Sequence, residues 1–134
     1  MQSATILVVD DDSKICDFVS ELLQSEGYHP LAVTNGRQAM SVLDRVTTDA
    51  IVLDLNMPEM DGFEVLTRLH DDPALKEVPV LVLTAKELSE TQIELLSRQA
   101  WALMRKSEDW QERFLGQVSR AVGHSRLPQR GVEQ

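Results

Sequence analysis

Ile6-Leu7-Val8-Val9-Asp10-Asp11-Asp12 is an unbroken apolar run that stops on three acids. A strand with one wet face alternates apolar and polar side chains. A run without alternation has to be covered on both faces, the condition of a strand inside a parallel sheet. Ala50-Ile51-Val52-Leu53 and Val80-Leu81-Val82-Leu83 read the same way, and each again stops on a polar residue, Asp54 and Thr84. Residues 29–33 and 100–105 are weaker runs, the second interrupted by Arg105 and lacking β-branched side chains. They are expected at the sheet edges.

Between the strands lie helical patterns. Ile15, Phe18, Val19, Leu22 and Leu23 fall at i, i+3, i+4, i+7 and i+8, and Ala39, Val42, Leu43 and Val46 repeat the pattern. Asp12 or Ser13 is placed to cap the first helix. A third helix is expected over residues 62–70, stopping before Asp72-Pro73 because a residue ahead of proline is driven out of the α region. Ser89 with Gln92 three positions on matches a capping box. The last helix is expected from about Ser107, with Glu108 and Asp109 favourably set on its dipole and Trp110, Phe114, Val118 and Val122 as its apolar stripe. The domain is expected to span 1–123, with the polar segment 124–134, which contains Pro128 and Gly131, as a flexible tail.

Strand and helix therefore alternate, and such a succession forms an open parallel sheet with right-handed crossovers. The expected fold is α/β: a flavodoxin-like, doubly wound, five-stranded parallel sheet in the order 2-1-3-4-5, with helices on both faces. At 134 residues the chain suits a single domain. Thirteen Lys and Arg against twenty-two Asp and Glu give a net charge of −9, which repels nucleic-acid backbones and anionic lipid alike. Neither nucleic acid nor membrane is an expected partner. The lone Cys16 allows no internal disulfide, and beside Ile15, Phe18 and Val19 it reads as helix packing. The first apolar run is too short for a signal-peptide core or a membrane span, so a cytoplasmic location is expected.

In open α/β sheets ligands bind beyond the carboxyl ends of the strands, where strand order reverses. Asp10, Asp11 and Asp12 follow the first strand, Asp54 and Asn56 the third, Thr84 and Ala85 the fourth, Lys106 the fifth. If the first and third strands are neighbours, Asp10, Asp11 and Asp54 converge. Carboxylates about 5 Å apart at an effective dielectric near 20 repel by roughly 3 kcal/mol per pair, so a cation is needed. A few hard oxygen ligands with room for water and phosphate suit Mg²⁺ better than Ca²⁺. With Lys106 and the Thr84 hydroxyl added, the set can hold the equatorial oxygens of a transferring phosphoryl group, with Asp54 as nucleophile. Singly each residue has a plainer reading: a cap, a turn pair in Asp61-Gly62, a surface charge. Their joint placement after four of the five strands is what argues for a site.

Four blocks carry a resemblance: residues 6–12, Asp54-Leu55-Asn56-Met57-Pro58-Glu59-Met60-Asp61-Gly62, Val82-Leu83-Thr84-Ala85, and Lys106. The chain resembles the receiver domains of two-component response regulators from about Thr5 to Val122. That resemblance implies Asp54 as phosphoacceptor, taking its phosphoryl group from a histidine kinase or histidine phosphotransfer protein and signalling to a protein output partner. It implies Asp11, Asp54 and the Asn56 carbonyl as direct Mg²⁺ ligands, with Asp10 acting through water. It also implies Thr84 as switch hydroxyl, Lys106 as its salt-bridge partner, and Asn56 and Lys86 flanking the attacking water. Such a chain turns over only its own phosphoryl group and is not an enzyme toward a separate substrate.

Three positions depart from the family pattern: Ser107 in place of the usual proline, Leu103 at the aromatic switch position, and Gln99-Ala100 in place of Gly-Ala. They put the threonine–aromatic relay in question but not the phosphoryl chemistry. The segment 83–88 and the Lys106-Ser107 ending resemble receivers of hybrid sensor kinases. Trp101 and Trp110 fall on the side formed by the last two helices, where receivers commonly meet partners, although Trp110 also suits the core. Two rivals stand beside the leading reading. One is a Mg²⁺-dependent phosphohydrolase of the haloacid-dehalogenase kind, disfavoured because its nucleophile belongs on the first strand within Asp-x-Asp. The other is a degenerate receiver that only scaffolds.

Overall fold

The computed structural model describes residues 3–107 and 109–125. Its elements run β1 (Thr5–Val9), α1 (Ser13–Ser25), β2 (His29–Val33), α2 (Gly36–Arg45), β3 (Ala50–Leu53), α3 (Gly62–Asp71), β4 (Val80–Thr84), α4 (Glu90–Gln99), β5 (Ala102–Arg105) and α5 (Trp110–Ser125). The strands form one sheet in the order β2-β1-β3-β4-β5, every pair parallel. This is the expected order.

The missing alternation in β1 has a direct structural counterpart. Ile6 and Val8 enter a cluster with Cys16, Val19 and Leu23 of α1 and Phe114 and Val118 of α5. Leu7 and Val9 enter the opposite cluster, with Leu43 of α2, Val65 and Leu66 of α3 and Leu96 of α4. Successive side chains of a strand point to opposite faces, so a sheet sandwiched between two helix layers requires apolar residues at every position. Each aliphatic side chain fully buried this way contributes about 1.5–3 kcal/mol.

Helix starts follow local chemistry. Asp12, Asn35 and Asp61 cap α1, α2 and α3 through side-chain oxygens that accept from the backbone N–H groups of Lys14, Gln38 and Glu64. Ser89 and Gln92 form the full capping box of α4. Beyond one added residue at the end of α3, three boundaries differ from expectation. β5 begins at Ala102 rather than 100, because Ala100 ends α4 by donating its N–H to Leu96 O at 2.8 Å. α5 begins at Trp110 rather than near Ser107, whose N–H is spent on Arg105 O at 2.8 Å, tightening the turn after β5. At its far end α5 continues through His124 to Ser125, past the expected boundary at 123. Glu108 and residues 126–134, most of the expected tail, lie outside the described residues. Trp110 is core, packed edge-on against Phe114 and Phe18. Trp101 is 38% exposed and lies against His124 with ring centroids 5.1 Å apart. Among the described residues no helix is long and apolar enough to cross a membrane.

Candidate functional site

β1 and β3 are neighbours in register Val9↔Leu53, so the residues just beyond them meet. The Asp54 N–H donates to Val9 O at 2.9 Å, continuing the ladder one step and setting the Asp54 side chain beside Asp10. Carboxylate oxygens of Asp10, Asp11 and Asp54 lie within 4.8 Å of one another. Lys106 arrives from the sheet edge, two strands away from β3. Its N–H donates to Thr84 O at 3.0 Å, and its long side chain brings Nζ to 2.9 Å from Asp10 Oδ2 and 3.9 Å from Asp54 Oδ1. Asp10, Asp11, Asp54, Asn56 and Lys106 line one open cavity of about 270 Å³, together with Asp12, Ala85 and Lys86. Thr84 is fully buried at the end of β4, and its hydroxyl accepts from the Lys86 N–H at 3.1 Å. The sequence-predicted residues are thus gathered at one edge of the sheet.

The three acids are not equivalent. Both oxygens of Asp10 are engaged: Oδ1 accepts from the Asp12 N–H at 2.9 Å and Oδ2 faces Lys106. Asp11 is exposed, whereas Asp54 is buried. Burial first, and the neighbouring Asp10 charge second, hold the Asp54 carboxyl above its ordinary value of 3.8, against the opposing pull of Lys106, Thr84 and the Asn56 backbone. Crowded acids with one ammonium among them leave unbalanced negative charge, and this cluster of oxygens can bind a metal ion.

Two supports of the site were not foreseen. A Cβ on Gly62 would lie 2.5 Å from Asp54 O and 2.7 Å from Leu55 Cα, while the Gly62 N–H donates to Leu55 O at 3.1 Å. The loop after β3 therefore folds back onto its own beginning, which only glycine permits, although Asp61-Gly62 by itself reads as a turn pair. Cys16 packs in the core as expected, but its thiol also lies 3.2 Å from Asp10 O. Burial raises that thiol to about 11, so it remains protonated and a donor.

Residues 6–114 match the family model of the response regulator receiver domain. The chain belongs to that family. This receiver domain is 33% identical over 134 residues to the transcriptional regulatory protein ZraR of Klebsiella oxytoca, a match that covers 99% of the chain but 29% of that regulator. It spans less than two thirds of the curated relatives it matches, 61% at most among the most similar ones. Among solved structures it resembles the receiver domain of a signal transduction histidine kinase from Syntrophus aciditrophicus, with TM-score 0.85 and 27% identity, covering 95% of this chain and 96% of that one. It also resembles the chemotaxis protein CheY4 of Vibrio cholerae, with TM-score 0.79 and 31% identity, covering 89% and 98%. Regulator-borne and kinase-borne receivers thus both occur among its relatives.

The departures from the family pattern have visible consequences. Lys106–Ser107 lies in a chain whose described peptide bonds are all trans. Leu103 packs partly buried beside the cluster that holds Leu96. Gln99, at the end of α4, keeps its side-chain oxygen buried without a hydrogen-bond partner among the described residues.

Proposed function

We propose that this receiver domain accepts a phosphoryl group on Asp54 from the phosphohistidine of a histidine kinase or phosphotransfer protein. The observation that carries this reading is the convergence of Asp10, Asp11 and Asp54 within 4.8 Å, with Lys106 Nζ 3.9 Å from Asp54. An Asp54 oxygen attacks phosphorus in line, the P–N bond breaks, and the imidazole departs with the bonding pair and is protonated. The Lys106 ammonium and the Thr84 hydroxyl meet the charge on the transferring oxygens. Asp11, Asp54 and the Asn56 carbonyl would hold the Mg²⁺, and Asp10, already engaged through both oxygens, would act on it only through water. When bound, the ion neutralises the acids and the phosphoryl oxygens. Asn56 and Lys86 flank the path of the water that later cleaves the acyl phosphate.

The switch follows from Thr84. Its hydroxyl accepts from the Lys86 N–H; turning toward a phosphoryl group exchanges that bond and releases the segment between β4 and α4. Leu103 offers no ring to relay the movement, so α4 and its preceding loop carry the signal to a protein partner. With a net charge of −9 the domain does not itself bind nucleic acid, and it acts in the cytoplasm. It turns over only its own phosphoryl group and is not an enzyme toward a separate substrate.

Acetyl phosphate with Mg²⁺ tests the reading. One acid-stable, base-labile phosphoryl group per chain, absent from Asp54→Asn, is expected. Sustained hydrolysis of p-nitrophenyl phosphate over hundreds of equivalents would identify a phosphohydrolase instead. Failure of both acetyl phosphate and beryllofluoride to act on the intact chain would identify a scaffold.

A further inference from the structure

β2 ends the sheet on one side, bonded only to β1. The His29 N–H donates to Ala4 O at 2.8 Å, and Val33 O accepts the Asp10 N–H at 3.2 Å. Residues that bond a neighbouring strand alternate with residues that face away from it. In the β1–β2 register, His29, Leu31 and Val33 therefore turn their N–H and C=O groups to β1. Pro30, Ala32 and Thr34 turn their backbone groups outward, as does Tyr28 just ahead of the strand. Ala32 and Thr34 are exposed.

A row of unpaired backbone groups is a template for a further strand. By its side chains this edge suits such pairing, since residues 29–33 carry no Asp, Glu, Lys or Arg and include Leu31, Ala32 and Val33. Its donors, however, are removed one after another. The Tyr28 N–H is taken by Leu23 O at 3.0 Å. Pro30 has no N–H, and it stands where that loss leaves the β1 ladder intact. The Thr34 N–H donates to the side-chain oxygen of Gln38 at 3.1 Å. Gln38 is set for this by the start of α2, where its own N–H donates to the capping Asn35 Oδ1 at 2.8 Å and its side chain reaches back along the strand. Among the described residues, Ala32 alone in this row keeps an open outward donor. Arg45 lines the groove beside Ala32 and Gln38, a charge that an added strand would have to cover.

We infer that Pro30 and Gln38 close the β2 edge against strand addition by a second copy of this chain. A second copy is the strand to be refused, because it is present wherever the chain is and its edge carries the same uncharged Leu31-Ala32-Val33 stretch. Two copies paired antiparallel about a two-fold axis at Ala32 would set Pro30 of each against Thr34 of the other. The two Ala32 residues could exchange bonds at the centre. The flanking pairs could not, since proline has no donor and the Thr34 donor is already held by Gln38. Sliding the register does not help, because each edge still offers only the Ala32 N–H. The sheet therefore stops at β2. Neither residue takes part in the phosphoryl chemistry, so this guard is independent of the role proposed for Asp54.

The test compares the full chain with Pro30→Val combined with Gln38→Ala, which returns both donors and keeps the backbone bond to Asn35. Sedimentation over a concentration series measures association, and amide hydrogen exchange locates it. The double variant is expected to self-associate with a dissociation constant about tenfold or more below that of the parent. Exchange is expected to slow at Ala32 and Thr34, with α4 and α5 as in the parent. Each single variant returns one donor and falls between. Pro30→Ala with Gln38→Ala adds no apolar bulk and is expected to associate too, which separates the backbone from the side chain. Adding Ala32→Pro to the double variant puts a ring at the two-fold axis and is expected to restore the parent's behaviour. All these variants keep acetyl phosphate uptake, and Asp54→Asn leaves association unchanged, so the guard and the phosphoacceptor reading fail separately. A double variant no more associated than the parent, association that survives Ala32→Pro, slowed exchange confined to other surfaces, or a parent already protected at Ala32 overturns the proposal.

Discussion

Lys106 and Asp10 form an ion pair of 2.9 Å with side chains only 17% and 5% exposed. Breaking such a pair from one side leaves a buried charge, which typically costs about 3–5 kcal/mol. Asp10 retains the Asp12 N–H, which softens the loss. Lys106→Met is therefore expected to lower stability by about 2–4 kcal/mol at neutral pH without Mg²⁺, with part recovered on adding Mg²⁺, as measured by urea unfolding. Asp54 has the opposite sign. Its carboxyl is held above 3.8 by burial and by Asp10, so the native state binds this proton more tightly than the unfolded chain does. Stability from this group is present below 3.8 and is lost as pH rises through the raised value, the full cost being present above it. Asp54→Asn removes that cost while Asp10 still pairs with Lys106. The variant is expected to be more stable than the parent at neutral pH, the difference closing in acid, where both states are protonated. A variant less stable than the parent in Mg²⁺-free buffer at neutral pH would show that Lys106 outweighs burial and Asp10 together. Acyl phosphate formation, which needs the ionised carboxylate, falls as pH drops through the same raised value.

α3 begins where the loop after β3 closes, and Gly62 is the closure. A Cβ there would press to 2.5 Å on backbone, which cannot yield as a flexible side chain can. Gly62→Ala is expected to destabilise by roughly 2–3 kcal/mol and to slow phosphoryl uptake by shifting Asp54, read by thermal unfolding and acetyl phosphate kinetics. Ser89→Ala gives a contrast: it removes the α4 capping box, costs about 1 kcal/mol and leaves the chemistry at Asp54 unchanged. These two positions also show what a sequence exposes. The Ser89–Gln92 box was legible because a cap acts within four consecutive residues. The buried strands were legible because two-sided burial removes alternation. The crowding at Gly62 was not, because it depends on the chain returning to Leu55, and Asp61-Gly62 reads alike in any exposed turn. The start of α5 was misplaced because Ser107 is a good cap by type, but its N–H is taken by Arg105 O in a turn that the sequence does not mark. The acids of the site were legible from strand ends. That Lys106 meets Asp10 more closely than Asp54, 2.9 against 3.9 Å, could come only from coordinates.

Across the whole molecule the site and the fold are one object, since strand order alone carries Asp10, Asp54, Thr84 and Lys106 to the same edge. Folding therefore assembles the negative charge, and a cation that neutralises it binds the native state alone. Linkage makes this measurable: a ligand that binds only the folded chain stabilises it by about 2.7 kcal/mol when present at a hundred times its dissociation constant. For a domain of this size such a gain raises the melting temperature by roughly 8–10 °C. General screening of the net charge of −9 also stabilises the fold, so the comparison has to be made at matched ionic strength. Mg²⁺ is expected to raise the melting temperature well beyond sodium chloride of equal ionic strength. Asp11→Asn is expected to remove most of that excess, because, among the described residues, Asp11 is the acid of the cluster whose oxygens no other group of the site engages. Asp54→Asn removes it as well, although that variant starts from a higher baseline. A Mg²⁺ response equal to that of sodium chloride, or one undiminished in Asp11→Asn, would mean that the acids repel one another without forming a metal site.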